Sequence, residues 1–162
     1  MKLKMKRIFL ILLLISAITY AGEWTGTVIG ITDGDTATVL NAENQSIKVR
    51  LVEIDAPESK QAFGNRAKQS LAELCFKKPV VVMDKGHDRY KRTLGRLICD
   101  GVDANAEQVK RGMAWAYRKY LKDSSILDLE TLAKNGQVGL WADINPTPPW
   151  EFRHPHKPLN QE

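Results

Sequence analysis

Histidine and cysteine are scarce in this chain, three and two among 162 residues. The aspartates that draw notice, Asp35 and Asp55, have neither beside them in sequence, which disfavours a zinc site. A spanning helix needs roughly 20 apolar residues, whereas the apolar run at residues 8–18 is eleven long. Positive charge is also missing where it would count. The chain carries 24 Lys and Arg against 19 Asp and Glu, but Lys2, Lys4, Lys6 and Arg7 precede the apolar run, and without those four the balance is 20 to 19. Net charge therefore marks no polyanion-binding surface, and any anionic partner must be argued from local clusters. Internal repeats and linkers are absent as well, so the length suits one domain with one core.

The basic start, the apolar run and the small residues Thr19 and Ala21 at −3 and −1 make residues 1–21 a signal peptide. Export favours a disulfide between Cys75 and Cys99; two buried free thiols are the alternative. Beyond the leader, β-branched runs alternate with polar residues at 24–31, 36–40 and 47–52, separated by "TDGD" and "NAENQ". That is a three-stranded meander. Ala67, Leu71, Leu74 and Cys75 recur at helical spacing, predicting a helix over about 65–76. Strands follow at 79–85 and 93–99, then a short helix in "ANAEQVKRG" with Gly112 as its cap. A longer helix in "DSSILDLETLAKNG" has Asp123, Ser124 and Ser125 as candidate N-caps. The proline-rich end, "WADINPTPPWEFRHPHKPLNQE", has neither period and reads as irregular, with Trp141 and Trp150 laid on the body. Five strands and three helices make an α+β domain whose β part is a small barrel.

Within it, "TDGDT" and "RLVEIDAPE" bring charge to strand ends. Asp35 sits just past a turn at Gly34, and Asp55 sits at the end of the third strand, which pairs with the second, so the two can meet across the meander. Two aspartates suit a hard cation with oxygen ligands, Ca²⁺ or Mg²⁺. Pro57 holds Ala56 extended, where its carbonyl can face the same ion. Glu58 stands one turn away, free to hold a water. Arg50 and Arg92 offer planar forks that match phosphate oxygens. Metal, guanidinium and carboxylate together suit phosphodiester hydrolysis. Each part alone has a plainer reading: "DGDT" as a turn, Arg50 as a sheet-face residue, Glu58 as a charge before a helix, and the "HPH" histidines and His87 as solvated groups.

The order "DGDT", "RLVEIDAPE", "DRYKRTLGRL", "DANAEQVKRGMAWAYRKY" and "GLW" resembles the staphylococcal nuclease (thermonuclease) family, in its exported bacterial branch, over residues 27–153. The specific part is R-x4-D-x-P-E, with D-R-Y-x-R 33 residues after Asp55. The resemblance implies a five-stranded OB-fold β-barrel with three α-helices over residues 22–153, followed by an irregular tail at 154–162. It implies Asp35, Asp55 and the Ala56 carbonyl as metal ligands, Glu58 as the water-activating base, Arg50 and Arg92 as the phosphate clamp, and Tyr90 as a phosphate contact. It places the first helix near the strand ending in Cys99, within reach of the disulfide. It further implies a monomer without stable protein partners that cleaves DNA and RNA with Ca²⁺, ahead of Mg²⁺, leaving 3′-phosphates. Lys91 departs from the pattern by standing where the family often has Gly, and Ala56 by replacing a threonine. The lysine-rich overhanging loop and the base-stacking aromatic have no clear match.

A non-catalytic binding module on the same fold, or a Ca²⁺-stabilised structural domain, would have no use for the full set from Asp35 to Arg92. Export predicts cleavage between Ala21 and Gly22, into periplasm or medium. N-terminal sequencing of the exported chain should begin at Gly22; a membrane-bound chain still starting at Met1 would contradict the signal-peptide reading.

Overall fold

The computed structural model describes residues 22–154; the expected leader and the tail beyond His154 lie outside the described residues. Strands β1 (Glu23–Asp33), β2 (Thr36–Asn41) and β3 (Ser46–Leu51) form the expected meander. Strand β4 (Ile54–Asp55) is a two-residue piece. Helix α1 (Gly64–Cys75) leads to β5 (Pro79–His87), which pairs antiparallel with β1 and with β6 (Thr93–Cys99). A parallel pairing of β3 with β6, with Arg50 opposite Leu94, closes the five long strands into a barrel. Beyond it lie β7 (Val102–Asp103), α2 (Ala104–Lys110), β8 (Trp115–Ala116) and α3 (Ser125–Asn135). The five-stranded barrel with helices is thus the one anticipated.

Strand β6 shows why these residues make a barrel wall. Thr93, Gly95, Leu97 and Cys99 are buried, and Leu94, Arg96 and Ile98 between them are half-buried, the two-residue period of a sheet with one face on a core. Inside, Val28, Val39, Val49, Leu51, Val80, Val82 and Leu97 pack with Leu71 and Leu74 of α1, Val109 of α2 and Ile126 of α3. Helix α2 ends at Lys110 with Arg111 as its C-cap, and Gly112 takes the following position with φ +62°. A left-handed residue there is what a helix stop requires.

On the outer face of β6, Arg96 ties separate segments together. Its Nε donates to Asp103 and its Nη1 to Asp123, both at 2.7 Å. Asp123 also accepts from the N–H of Ser125, the first residue of α3, at 3.0 Å; the N-cap position itself is held by Ser124. Glu53 lies 3.6 Å from Arg96 and accepts from the N–H groups of Lys122 and Asp123 at 2.6 and 2.7 Å. Glu53 has φ +66°, unusual for a residue with a side chain. These bonds hold that backbone turn, and the turn aims β4 out of the barrel toward β8.

The tail departs from expectation. Instead of being irregular throughout, it forms a 3₁₀ turn at Gly139–Ala142 and a short helix, α4 (Pro149–Arg153). Pro149 at the first helical position has its φ already set and loses no hydrogen bond. Trp150 fixes the helix: its ring stacks on Tyr117, 5.8 Å between centroids and 2° between planes, and meets Trp115 edge-on at 6.4 Å.

Cys75, at the end of α1, and Cys99, at the end of β6, form a disulfide with Cα atoms 5.2 Å apart. Of the two readings open for the cysteines, the cross-link is the one found. With its ends 24 positions apart in sequence, the closed loop should be worth roughly 2–4 kcal/mol. Replacing both cysteines by Ala should lower the unfolding free energy by about that amount in denaturant titrations, and the unreduced wild-type chain, once unfolded, should show no titratable thiol.

Candidate active site

The hairpin turn between β1 and β2 is only Gly34 and Asp35. Gly34 is there for space: a Cβ would stand 2.6 Å from that of Ala67 and 2.7 Å from that of Ala56. Gln108, fully buried on α2, donates to the Gly34 carbonyl at 2.7 Å and to the Ala67 carbonyl at 3.0 Å. The turn is therefore clamped between α1, α2 and the segment after β4. This close seat lets the Ala56 N–H donate to Asp35 Oδ2 at 2.7 Å.

Asp35 and Asp55 converge on one point. Nη2 of Arg50 lies 3.1 Å from Asp35 Oδ2 and 3.0 Å from Asp55 Oδ1, and the two carboxylates are only 8% and 1% exposed. Nη1 of the same arginine donates to the carbonyls of Leu51 and Ile54, which fixes the fork. Burial pushes the Asp35 carboxyl up to about 7; Arg50 and the Ala56 N–H act against that rise, while Asp33 and Asp55 add repulsion. Asp55 is set by its place in β4, opposite Trp115 of β8.

Glu58 joins the cluster through a residue to which the sequence reading assigned no role. Arg153, the last residue of α4, donates from Nη1 to Glu58 Oε1 at 2.7 Å and to Asp55 Oδ1 at 3.2 Å. Its Nη2 donates to Asp55 Oδ2 at 2.6 Å. Hydrogen bonds to Asp55, then to Glu58, raise its pKa further. Asp35, Arg50, Asp55, Glu58 and Arg153 are thus one connected set.

Arg92 and Tyr90 stand apart on the loop before β6. Arg92 pairs with Asp88 through Nε at 2.7 Å, and Asp88 Oδ1 accepts from the N–H groups of Tyr90 and Arg92, both at 2.9 Å. Tyr90 is exposed, with the guanidinium groups of Arg89 and Arg92 4.7 and 5.7 Å from its ring centre. The β3–β6 register sets Thr93 opposite Val49, so Arg92 immediately precedes the strand that lies beside the one carrying Arg50. The loop lies next to the cluster without being bonded to it.

The donor set fits a hard cation. Among the described residues, no three of His, Cys, Asp and Glu gather as a metal cluster. Asp35 and Asp55 are a pair of oxygen donors facing one guanidinium, with no His or Cys beside them among those residues, a donor chemistry that suits Ca²⁺ or Mg²⁺ and not zinc.

Residues 48–143, more than half of the chain, match the family described as staphylococcal nuclease homologue. A Haemophilus influenzae protein named "Uncharacterized endonuclease" is 47% identical over 133 residues, covering 82% of this chain and 75% of its own. A Shigella flexneri "Micrococcal nuclease" is 43% identical over 158 residues, covering 91% and 90%. The chain belongs to the staphylococcal nuclease family. Escherichia coli "Protein ParB" is a further relative, 44% identical, covering 81% of this chain and 80% of its own. The departure noted at Lys91, where the nuclease family often has Gly, now has a physical side: its φ is +62°, the left-handed region that favours glycine. The Asp88 carboxylate, bonded to the N–H groups on both sides of it, holds this turn together.

Gly34→Ala tests the clamp. The added methyl must push α1 or the Asp55–Ala56 segment, which should destabilise the fold by roughly 1–3 kcal/mol and lower kcat by about 10²-fold through misplacement of the carboxylates. Adding Ala67→Gly should restore part of the activity, measured on a short DNA substrate beside denaturant unfolding.

Proposed function

We propose that this nuclease is an exported, Ca²⁺-dependent endonuclease that hydrolyses phosphodiester bonds in DNA and RNA and leaves 3′-phosphates. The observation that carries the reading is the convergence of Asp35, Asp55 and Arg50, with Glu58 joined to them through Arg153, in a chain of the staphylococcal nuclease family. Asp35, Asp55 and the Ala56 carbonyl would hold the Ca²⁺, which when bound offsets phosphate charge and favours attack at phosphorus. With so few charged ligands, its affinity falls at about 10⁻⁴–10⁻³ M.

The chain's own groups do the rest. Glu58, 38% exposed, positions a water and takes its proton as the new P–O bond forms. The P–O5′ bond breaks, which leaves a 3′-phosphate on one fragment and a 5′-hydroxyl on the other. Arg50, already anchored by backbone carbonyls, and Arg92, once it exchanges Asp88 for a phosphate oxygen, donate to the equatorial oxygens as charge builds there. Tyr90 on the same loop contacts phosphate.

Glu58→Gln should lower kcat by roughly 10²–10⁴-fold with KM little changed, since the lost carboxylate repels the substrate it acts on. Arg92→Lys keeps the charge, loses the fork and should also be severely impaired. Asp35→Asn should raise the Ca²⁺ needed for half-maximal rate. Steady-state kinetics on DNA and RNA, with circular dichroism as the folding control, decides the matter. Near-normal kcat for Glu58→Gln would refute the mechanism, and nucleic-acid binding without hydrolysis by the wild type would favour a non-catalytic module.

A further inference from the structure

The contact that the proposed mechanism does not use is the one made by Arg153. It is not a loose surface ion pair. Its two terminal nitrogens engage both oxygens of Asp55, a carboxylate 1% exposed, and one of them also holds Glu58. Such a forked, charge-assisted arrangement is among the stronger ones a protein can make.

The carrier helix is docked independently of this charge. Trp150 stacks on Tyr117 and meets Trp115, and Trp115 is the residue paired with Asp55 across β4 and β8. Gln61 bridges the tail to the loop that bears Glu58: its Nε2 donates to the Thr147 carbonyl and its Oε1 accepts from the Glu58 N–H. The tail is therefore built to deliver a guanidinium to this place, 95 residues along the chain from Glu58 and 98 from Asp55.

We propose that Arg153 is a positioning residue that sets the affinity of the Asp35–Asp55 site for its divalent cation, by competing with that cation for the oxygens of Asp55. The proposal rests on the metal role assigned above to those two aspartates. The charge balance gives its direction. Among the described residues, Asp35, Asp55 and Glu58, with Asp33 beside Asp35, face two guanidinium groups, Arg50 and Arg153. Arg50 is tied to backbone carbonyls, whereas among the described residues Arg153 is held only by the two carboxylates, and it is 36% exposed. A doubly charged ion entering at Asp55 must loosen the Arg153 fork or lie beside it. Removing that charge should favour the ion by about tenfold, a figure that allows for solvent screening at a partly exposed site. The same residue would keep the site weak for cations and hold Glu58 beside Asp55.

The test is calorimetric titration of Ca²⁺ into the full mature chain. Arg153→Met should tighten Kd by about tenfold, Arg153→Lys should fall between it and wild type, and Trp150→Ala, which undocks the helix by a different route, should move Kd in the same direction. Circular dichroism confirms folding of each. An unchanged or weakened Kd for folded Arg153→Met, with Asp35→Asn still weakening binding, would overturn the proposal and leave the metal site standing. Ca²⁺ binding insensitive to Asp35→Asn would overturn the metal assignment and this inference with it.

Discussion

Two carboxylates that are almost wholly buried can coexist only with positive charge between them. An unpaired buried carboxylate costs several kcal/mol, and Asp35 and Asp55 add mutual repulsion to that. The Arg50 guanidinium is the answer, and much of the surrounding fold follows from keeping it in place. Its other nitrogen is fixed by the Leu51 and Ile54 carbonyls, so the chain must curl round it after β3. The left-handed backbone at Glu53 makes that curl, and the bonds from Lys122 and Asp123 hold it. Buried Asn105 secures the neighbouring turn by donating to the Val52 carbonyl and accepting from Leu97. Gly34 admits the opposite wall of the site because nothing larger would fit.

The barrel was legible because its signal is local. Alternation in residues 93–99 and helical spacing through Ala67, Leu71 and Leu74 report burial directly, and neighbouring residues carry the whole message. The two-residue strands β4 and β8 left no period to read. Helix α4 is five residues long, begins with proline and is held by aromatic contacts with Trp115 and Tyr117, so nothing in its own segment announces a helix.

The same division runs through the site. Asp35, Arg50, Asp55 and Glu58 could be grouped because a meander brings the ends of adjacent strands together, and the structure does gather them. Arg92 was grouped with them by chemistry, and in the structure its nearest anion is Asp88, four residues away, because a loop satisfies its own charges first. Arg153 escaped notice for the opposite reason: its partners are nearly a hundred residues away, and the only hint was an arginine three places after a tryptophan in "PPWEFR".

The Cys75–Cys99 bond gives the fold a dependence on its surroundings. It links the helix that backs the Gly34 turn to the strand that starts at the Arg92 loop, so both halves of the site lean on it. With the bond open, a loss of roughly 2–4 kcal/mol would raise the unfolded fraction some 30- to 800-fold. A chain that can cut its producer's own nucleic acids is then least durable wherever thiols are kept reduced, as they are in cytoplasm. The cross-link thus makes the durability of the fold depend on the redox state of the compartment that holds it.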